Sequence, residues 1–369
     1  MPIFYLSYIY TFFLLSYFQE KNIRNLLFPL LLPLIVLFSI RSAPDEYGRY
    51  LELAVPNSFW ELGFGLNSEW IFNLICQICK IFPNPLTLLY LISYSLIFIL
   101  INKSILLISN KSYAISFFST GFYLSHLFIT FFEGIRGGLA NIITLFAICI
   151  FIKTNHKLKT IILLYLAASI HIQTIPFFLL FILFIITRYI FKKIKLLKVK
   201  QKQILNISFL TLVIVISIIS RSLFAELFNW IIIKNASYFG EYVGYIGDKF
   251  NLYEINLLSS KYVALIFTNF VILFLTYQPT FSNPNKRYRI LFFMVLMGQI
   301  ISLTFSSLAL VAYRVSSSFL YFQIPLIASS IQKRNIHKSN NRKILFILLA
   351  IILSFYNVFL HQRLRSFAL

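Results

Sequence analysis

Apolar runs of the kind that helices use to cross a bilayer recur along the chain, and this limits the fold more than any motif does. Leu26 to Ile40 is one such run and Ile204 to Ile219 is another. A bilayer core of roughly 30 Å takes about 20 helical residues to cross. Lipid offers no hydrogen bonds, so a spanning backbone must satisfy its own N–H and C=O groups, and repeated apolar runs read as helices. The short alternating strands of a membrane barrel are not visible. The expected fold is an all-α, polytopic membrane helix bundle of about twelve spans, within a range of roughly ten to thirteen. The spans are placed at 3–18, 26–40, 86–101, 113–131, 137–152, 158–171, 174–190, 203–222, 260–277, 289–308, 312–330 and 344–361. Segment 70–82 is short and carries Lys80; it reads as an interfacial helix, with a short span as the alternative. The first run follows Met1 without a basic n-region or a small-residue cleavage site, so it reads as a retained span. With no repeat, linker or soluble segment apparent, the expectation is one integral-membrane domain over 1–369. Its two longest external loops lie at about 41–69 and 223–259.

Only 12% of residues are charged, yet the net charge is +22. A nucleic-acid ligand is one reading of such a charge, and the distribution rejects it. One set of loops carries Lys21 and Arg24; Lys103 and Lys111; Lys153, Lys157 and Lys159. The same set continues with a lysine-rich stretch over 188–202, with 286–289, and with 333–343. These loops hold 22 of the 33 cations and a single acid, Glu20. The opposite loops hold 10 of the 11 acids. The positive-inside rule places the basic set in the cytoplasm of a bacterial inner membrane, against an anionic leaflet. No G-x-x-x-x-G-K-[ST] occurs, which argues against an ATP-driven pump. Cys76 and Cys79 form a CxxC among apolar neighbours, without a second pair or a histidine cluster, and read as small apolar residues on a helix. No metal or other cofactor is expected.

Four external segments carry residue types that suit a sugar or phosphate. The first has Arg41, Asp45, Glu46, Tyr47, Arg49 and Tyr50 after Pro44, which stops the preceding helix. Arginine binds phosphate bidentately, a carboxylate accepts a hydroxyl proton, and tyrosine packs on sugar faces. An ordinary solvated loop is the plain alternative. The same loop ends on Glu69 and Trp70. In the second segment, Arg136 opens a helix, where free N–H groups already favour an anion, and Gly137 and Gly138 allow close approach. Gly134 to Gly138 also fits a helix-packing G-x-x-x-G. The third, Ser169-Ile170-His171-Ile172-Gln173, lies at the tip of a helical hairpin. His171 reads as a proton carrier, a phosphate ligand or a structural hydrogen-bonder. The fourth is Tyr313-Arg314 at the start of a span, with Arg221 ending another. Arginines at membrane depth are costly unless they are paired or face a cavity; snorkelling anchors are the bland alternative.

In this order the segments resemble the EpsG-like branch of the Wzy-type polysaccharide polymerases, which serve O-antigen, capsule or exopolysaccharide synthesis. The resemblance rests on Arg41, Asp45 and Tyr50 (or Tyr47), on Glu69 with Phe72, and on Ile135, Arg136, Leu139 and Ala140, followed by His171 and Arg314. Ile71 stands where the family's E-x-G-F piece has glycine. The resemblance implies a glycosyltransferase that moves a growing glycan from undecaprenyl pyrophosphate to a lipid-linked oligosaccharide at the outer face of the inner membrane. Asp45, Glu69 and His171 are then candidates for the base. Arg136 and Arg314, with Arg41 or Arg221, are candidates for the pyrophosphate, and Tyr50 for the substrate. A chain-length regulator is a further candidate partner. Two other readings stay open. A GT-C type lipid-sugar glycosyltransferase would use the Asp45-Glu46 pair, although such enzymes carry a larger external region. A flippase for lipid-linked oligosaccharide would need charge lining a cavity open to both faces, whereas the spans here hold almost none.

Overall fold

The computed structural model describes residues 2–18, 20–40, 69–128, 135–175, 177–179, 181–182, 234, 260–276, 286–304, 316–331 and 336–355. Every regular element among them is helical. Two helices, Pro85–Ile108 and Ile135–Thr154, are long and apolar enough to cross a membrane. Shorter apolar helices occur at Leu6–Leu15, Leu27–Val36, Trp70–Lys80, Phe267–Thr276 and Tyr288–Thr304. The described residues are thus all-helical, with apolar helices that suit a membrane protein, while the expected total of about twelve spans is not established. The span expected at 203–222 lies outside the described residues, as do parts of those at 174–190 and 312–330.

The chain divides into two compact units, residues 1–178 with 323–369, and residues 179–322. In the first unit the elements are α1 (Pro2–Leu15), α2 (Glu20–Ile23), α3 (Leu27–Ile40), α4 (Trp70–Lys80), α5 (Pro85–Ile108) and α6 (Tyr113–Tyr123). A π-helical turn (Leu124–Phe128) continues α6; then come α7 (Ile135–Thr154), α8 (Lys157–Ile170) and a 3-10 turn (Ile172–Thr174). The second unit contains α9 (Ser260–Thr276) and α10 (Lys286–Thr304). After these, α11 (Gln323–Ile331) and α12 (Ile336–Phe355) return to the first unit.

Helix α5 is the hub of the first unit and packs on α3, α4, α6, α7 and α11. It starts with Pro85 in its first turn, where the missing N–H costs nothing. It runs seven residues beyond the span expected at 86–101, past Lys103, because the apolar pattern continues through Ile105 and Ile108. A polar clasp joins it to α6. Asn102 Oδ1 accepts from Ser116 Oγ at 2.9 Å and Thr120 Oγ1 at 3.0 Å, while Asn102 Nδ2 donates to the Phe98 carbonyl. Such bonds hold helices together where lipid supplies no hydrophobic drive. Large apolar side chains meanwhile face outward at Phe28, Leu32 and Val36 on α3, and at Leu345, Leu348 and Ile352 on α12. Apolar stripes on the outside suit a lipid solvent.

The helical hairpins close by residues that tolerate a left-handed backbone. Asn110 (φ 51°) and Lys111 (φ 68°) turn α5 into α6, where the Ser112 hydroxyl caps Ile115 N–H. Asn155 (φ 57°) ends α7, a common asparagine role after a helix C-terminus. The basic loops meet at this end. Arg24 lies 5.9 Å over the Tyr113 ring, Lys153 Nζ donates to Asn110 Oδ1 at 2.8 Å, and Lys343 lies 5.3 Å over Tyr17. The sorting of charge by loop thus corresponds to one physical end of the unit.

In the second unit α9 and α10 pack together, and Tyr288 Oη donates to the Thr276 carbonyl at 2.7 Å. At Gly298 on α10 an added Cβ would lie 2.7 Å from Phe319 Cβ, so glycine lets the 316–320 segment pack closely on α10.

Candidate active site at three helix ends

Opposite the basic end of the first unit, three helix termini converge: the start of α4, the start of α7 and the end of α8. Each brings one ionisable side chain. Helix α4 is 11 residues long, or about 16 Å at 1.5 Å per residue, roughly half a bilayer core. Phe72, Cys76 and Cys79 form its buried stripe at i, i+4 and i+7, which fits an interfacial helix laid against α5 and α8. Both cysteines are free thiols packed as apolar residues. Glu69 precedes this helix in a left-handed conformation (φ 47°, ψ 36°), unusual for a residue with a Cβ.

Glu69 holds the other two groups. Its Oε2 accepts from Arg136 Nη1 in a salt bridge, and its Oε1 lies 2.5 Å from His171 Nδ1. The Glu69 and His171 side chains are buried, at 11% and 6% exposure, whereas the Arg136 side chain keeps 28%. A carboxylate ionised beside a guanidinium only accepts hydrogen bonds, so the His171 proton at this contact is on Nδ1. In the neutral ring Nε2 is then the basic nitrogen. The guanidinium of Arg136 also lies 5.8 Å over the Phe72 ring, which fixes its plane.

Neighbouring residues shape this cluster. His171 is the residue after α8, in extended backbone, with its N–H bonded to the Ala167 carbonyl. The 3-10 turn that follows carries Gln173, whose Nε2 donates to the Gly137 carbonyl and to Asn141 Oδ1, both at 3.2 Å. A Cβ at Gly137 would meet Gln173 Nε2 at 2.8 Å and His171 Cδ2 at 3.2 Å. This glycine therefore makes room for the 171–173 turn. At Gly138 a Cβ would make only an ordinary contact, 3.7 Å from Ile97 Cδ1.

The structure thus brings together Glu69, Arg136 and His171 from the sequence-derived candidates. Arg41, Asp45, Tyr50, Arg221 and Arg314 lie outside the described residues. Among the described residues no three His, Cys, Asp or Glu side chains form a group that could hold a metal ion. Phe72, Asn141 and Gln173 were legible as neighbours of the motifs, but their contacts with the cluster were not. His126, buried in the π-helical turn within the span expected at 113–131, escaped the sequence reading because one histidine does not interrupt an apolar run. Its ring lies 6.2 Å from that of Phe122.

An arginine, a carboxylate and a histidine thus meet at one end of the helical first unit. The chain belongs to the EpsG family, whose model matches residues 26–368. Membership suggests a polysaccharide-polymerase role and with it a glycosyltransferase-like activity. No curated protein and no solved structure matches the chain.

Proposed function

We propose that the protein is a Wzy-type polymerase of the bacterial inner membrane. It transfers a growing glycan from undecaprenyl pyrophosphate to the non-reducing end of a lipid-linked repeat unit at the periplasmic face. The observation that carries this reading is the shared carboxylate, with His171 on one oxygen of Glu69 and Arg136 on the other. Glu69 orients His171 by accepting from Nδ1, and His171 Nε2 takes the proton of the acceptor hydroxyl. The hydroxyl oxygen forms a bond to the anomeric carbon of the donor. The bond from that carbon to the pyrophosphate oxygen breaks, and its electron pair leaves with the pyrophosphate. Arg136, the most exposed of the three, stabilises the charge that grows there. Arg41, Arg221 and Arg314 are assigned to the same pyrophosphate, Tyr50 to the sugar, and Asp45 remains an alternative base. No nucleotide sugar and no metal take part in this scheme. A chain-length regulator would act on the same polymer.

The test is a glycan ladder from a null strain complemented with variants. Arg136→Ala should lower polymer formation by about 10³-fold, the upper range for losing one charge-stabilising donor. Single-repeat product should remain. A normal ladder in that strain would remove Arg136 from the site. Loss of the single-repeat band in the null strain would instead favour a glycosyltransferase or flippase earlier in the route.

A further inference from the structure

At the basic end of the first unit, a groove of about 380 Å³ runs between α3 and α5. Its length follows from its walls. From Leu27 to Ile35 along α3 is about 12 Å at 1.5 Å per residue. Leu31, Ile35 and Phe98 form a buried apolar floor, while Phe28, Ile99 and Leu106 complete the sides. Phe28 belongs to the outward apolar stripe of α3, so the groove opens on an exposed apolar face that suits lipid. Arg24 and Lys103 stand at its basic end, both exposed, and no carboxylate occurs among the described lining residues. Tyr113 at that end fixes Arg24 through the ring face, 5.9 Å from the guanidinium carbon. The α5 wall is held by Asn102, which clasps α6.

We propose that this groove binds one anionic glycerophospholipid, its phosphate on Arg24 and Lys103 and one acyl chain along the apolar walls. Water does not fill an apolar groove that opens on hydrocarbon, and an acyl chain suits its apolar lining and its length of about 12 Å. Two cations, with no carboxylate among the described lining residues, select a negative headgroup, as basic residues at a membrane surface attract anionic lipid. Nothing in this assignment depends on the chemistry at the opposite end of the unit.

The test is native mass spectrometry of the full chain, released from membranes into mild detergent and offered phosphatidylglycerol or phosphatidylcholine. Wild type should retain one phosphatidylglycerol per chain, on the order of tenfold in preference to phosphatidylcholine. Arg24→Gln with Lys103→Gln should abolish the preference. Ile35→Trp, which fills the groove, should reduce retention of both lipids. Lys157→Gln with Lys159→Gln removes the same charge from the same end and should change nothing. Equal loss in that control pair would overturn the proposal, because general surface charge would then suffice. Undiminished retention in the Arg24/Lys103 pair would overturn it as well. Elution volume and melting in detergent, compared with wild type, decide whether each variant is folded. If Arg24→Gln/Lys103→Gln does not fold, Arg24→Lys against Arg24→Gln gives the same contrast: retention kept in the first and lost in the second, with equal retention in both overturning the assignment.

Discussion

The two ends of the first unit treat positive charge in opposite ways. At the basic end, Arg24 lies over Tyr113, Lys153 donates to Asn110, and Lys343 lies over Tyr17. Those three partners are neutral. At the other end Arg136 meets a buried carboxylate that also holds a buried histidine. A buried ion pair recovers its desolvation cost only with good geometry and further hydrogen bonds, so it is weak support for stability. The difference teaches that position decides the partner: cations at the basic end meet neutral groups, whereas Arg136 meets a buried carboxylate shared with a histidine.

Glu69→Ala is the strongest way to break that comparison after Arg136→Ala. It leaves Arg136 without its anion and His171 without its orienting acceptor. Polymer formation should fall by about 10²-fold or more, since a positioned proton carrier contributes about 10² to 10⁴. Arg24→Gln at the opposite end should alter polymer yield by less than about twofold, as surface substitutions usually stay within about 0.5 kcal/mol. Matched losses in the two strains, read on the same gel, would erase the distinction between the ends.

Gly137→Ala sharpens it at smaller scale. The new Cβ displaces the Gln173 amide from its bonds to Gly137 and Asn141, at about 1 kcal/mol, and polymer formation should drop about fivefold. Gly138→Ala should be neutral, because its Cβ makes an ordinary contact. Equal ladders from the two alanine strains would show that the 171–173 turn does not need its place against α7. Smallest of all, Asn102→Leu removes the acceptor of Ser116 and Thr120 without touching either charge set. It should lower melting in detergent by the equivalent of about 0.6 to 1.7 kcal/mol, the range for hydrogen bonds between membrane helices. Polymer formation at a permissive temperature should be retained.

Much of the fold was legible in local sequence. Helix limits matched at the start of α6, after Asn110-Lys111-Ser112, and to within two residues at the end of α7, before Asn155, because such residues favour a turn. Helix α5 outran its expected end because Lys103 was read as a loop residue, although a lysine can stay helical with its head at the surface. The π-helical turn at 124–128 had no sequence signal. Gly137 was noticed for its freedom of approach, but what approaches is the 171–173 turn.

Periodicity, composition and the sorting of charge by loop were enough to read a helical chain with a basic end and an opposite end that holds Glu69, Arg136 and His171. Those features are summed over many residues, so no single contact decides them. Only the tertiary structure selected Glu69 as the carboxylate between Arg136 and His171. The three come from separate helix ends, with Glu69 lying 67 residues from Arg136 and 102 from His171. No local rule couples positions so far apart; they meet because α4, α7 and α8 pack with those termini at one level, and a buried carboxylate must find its cations there.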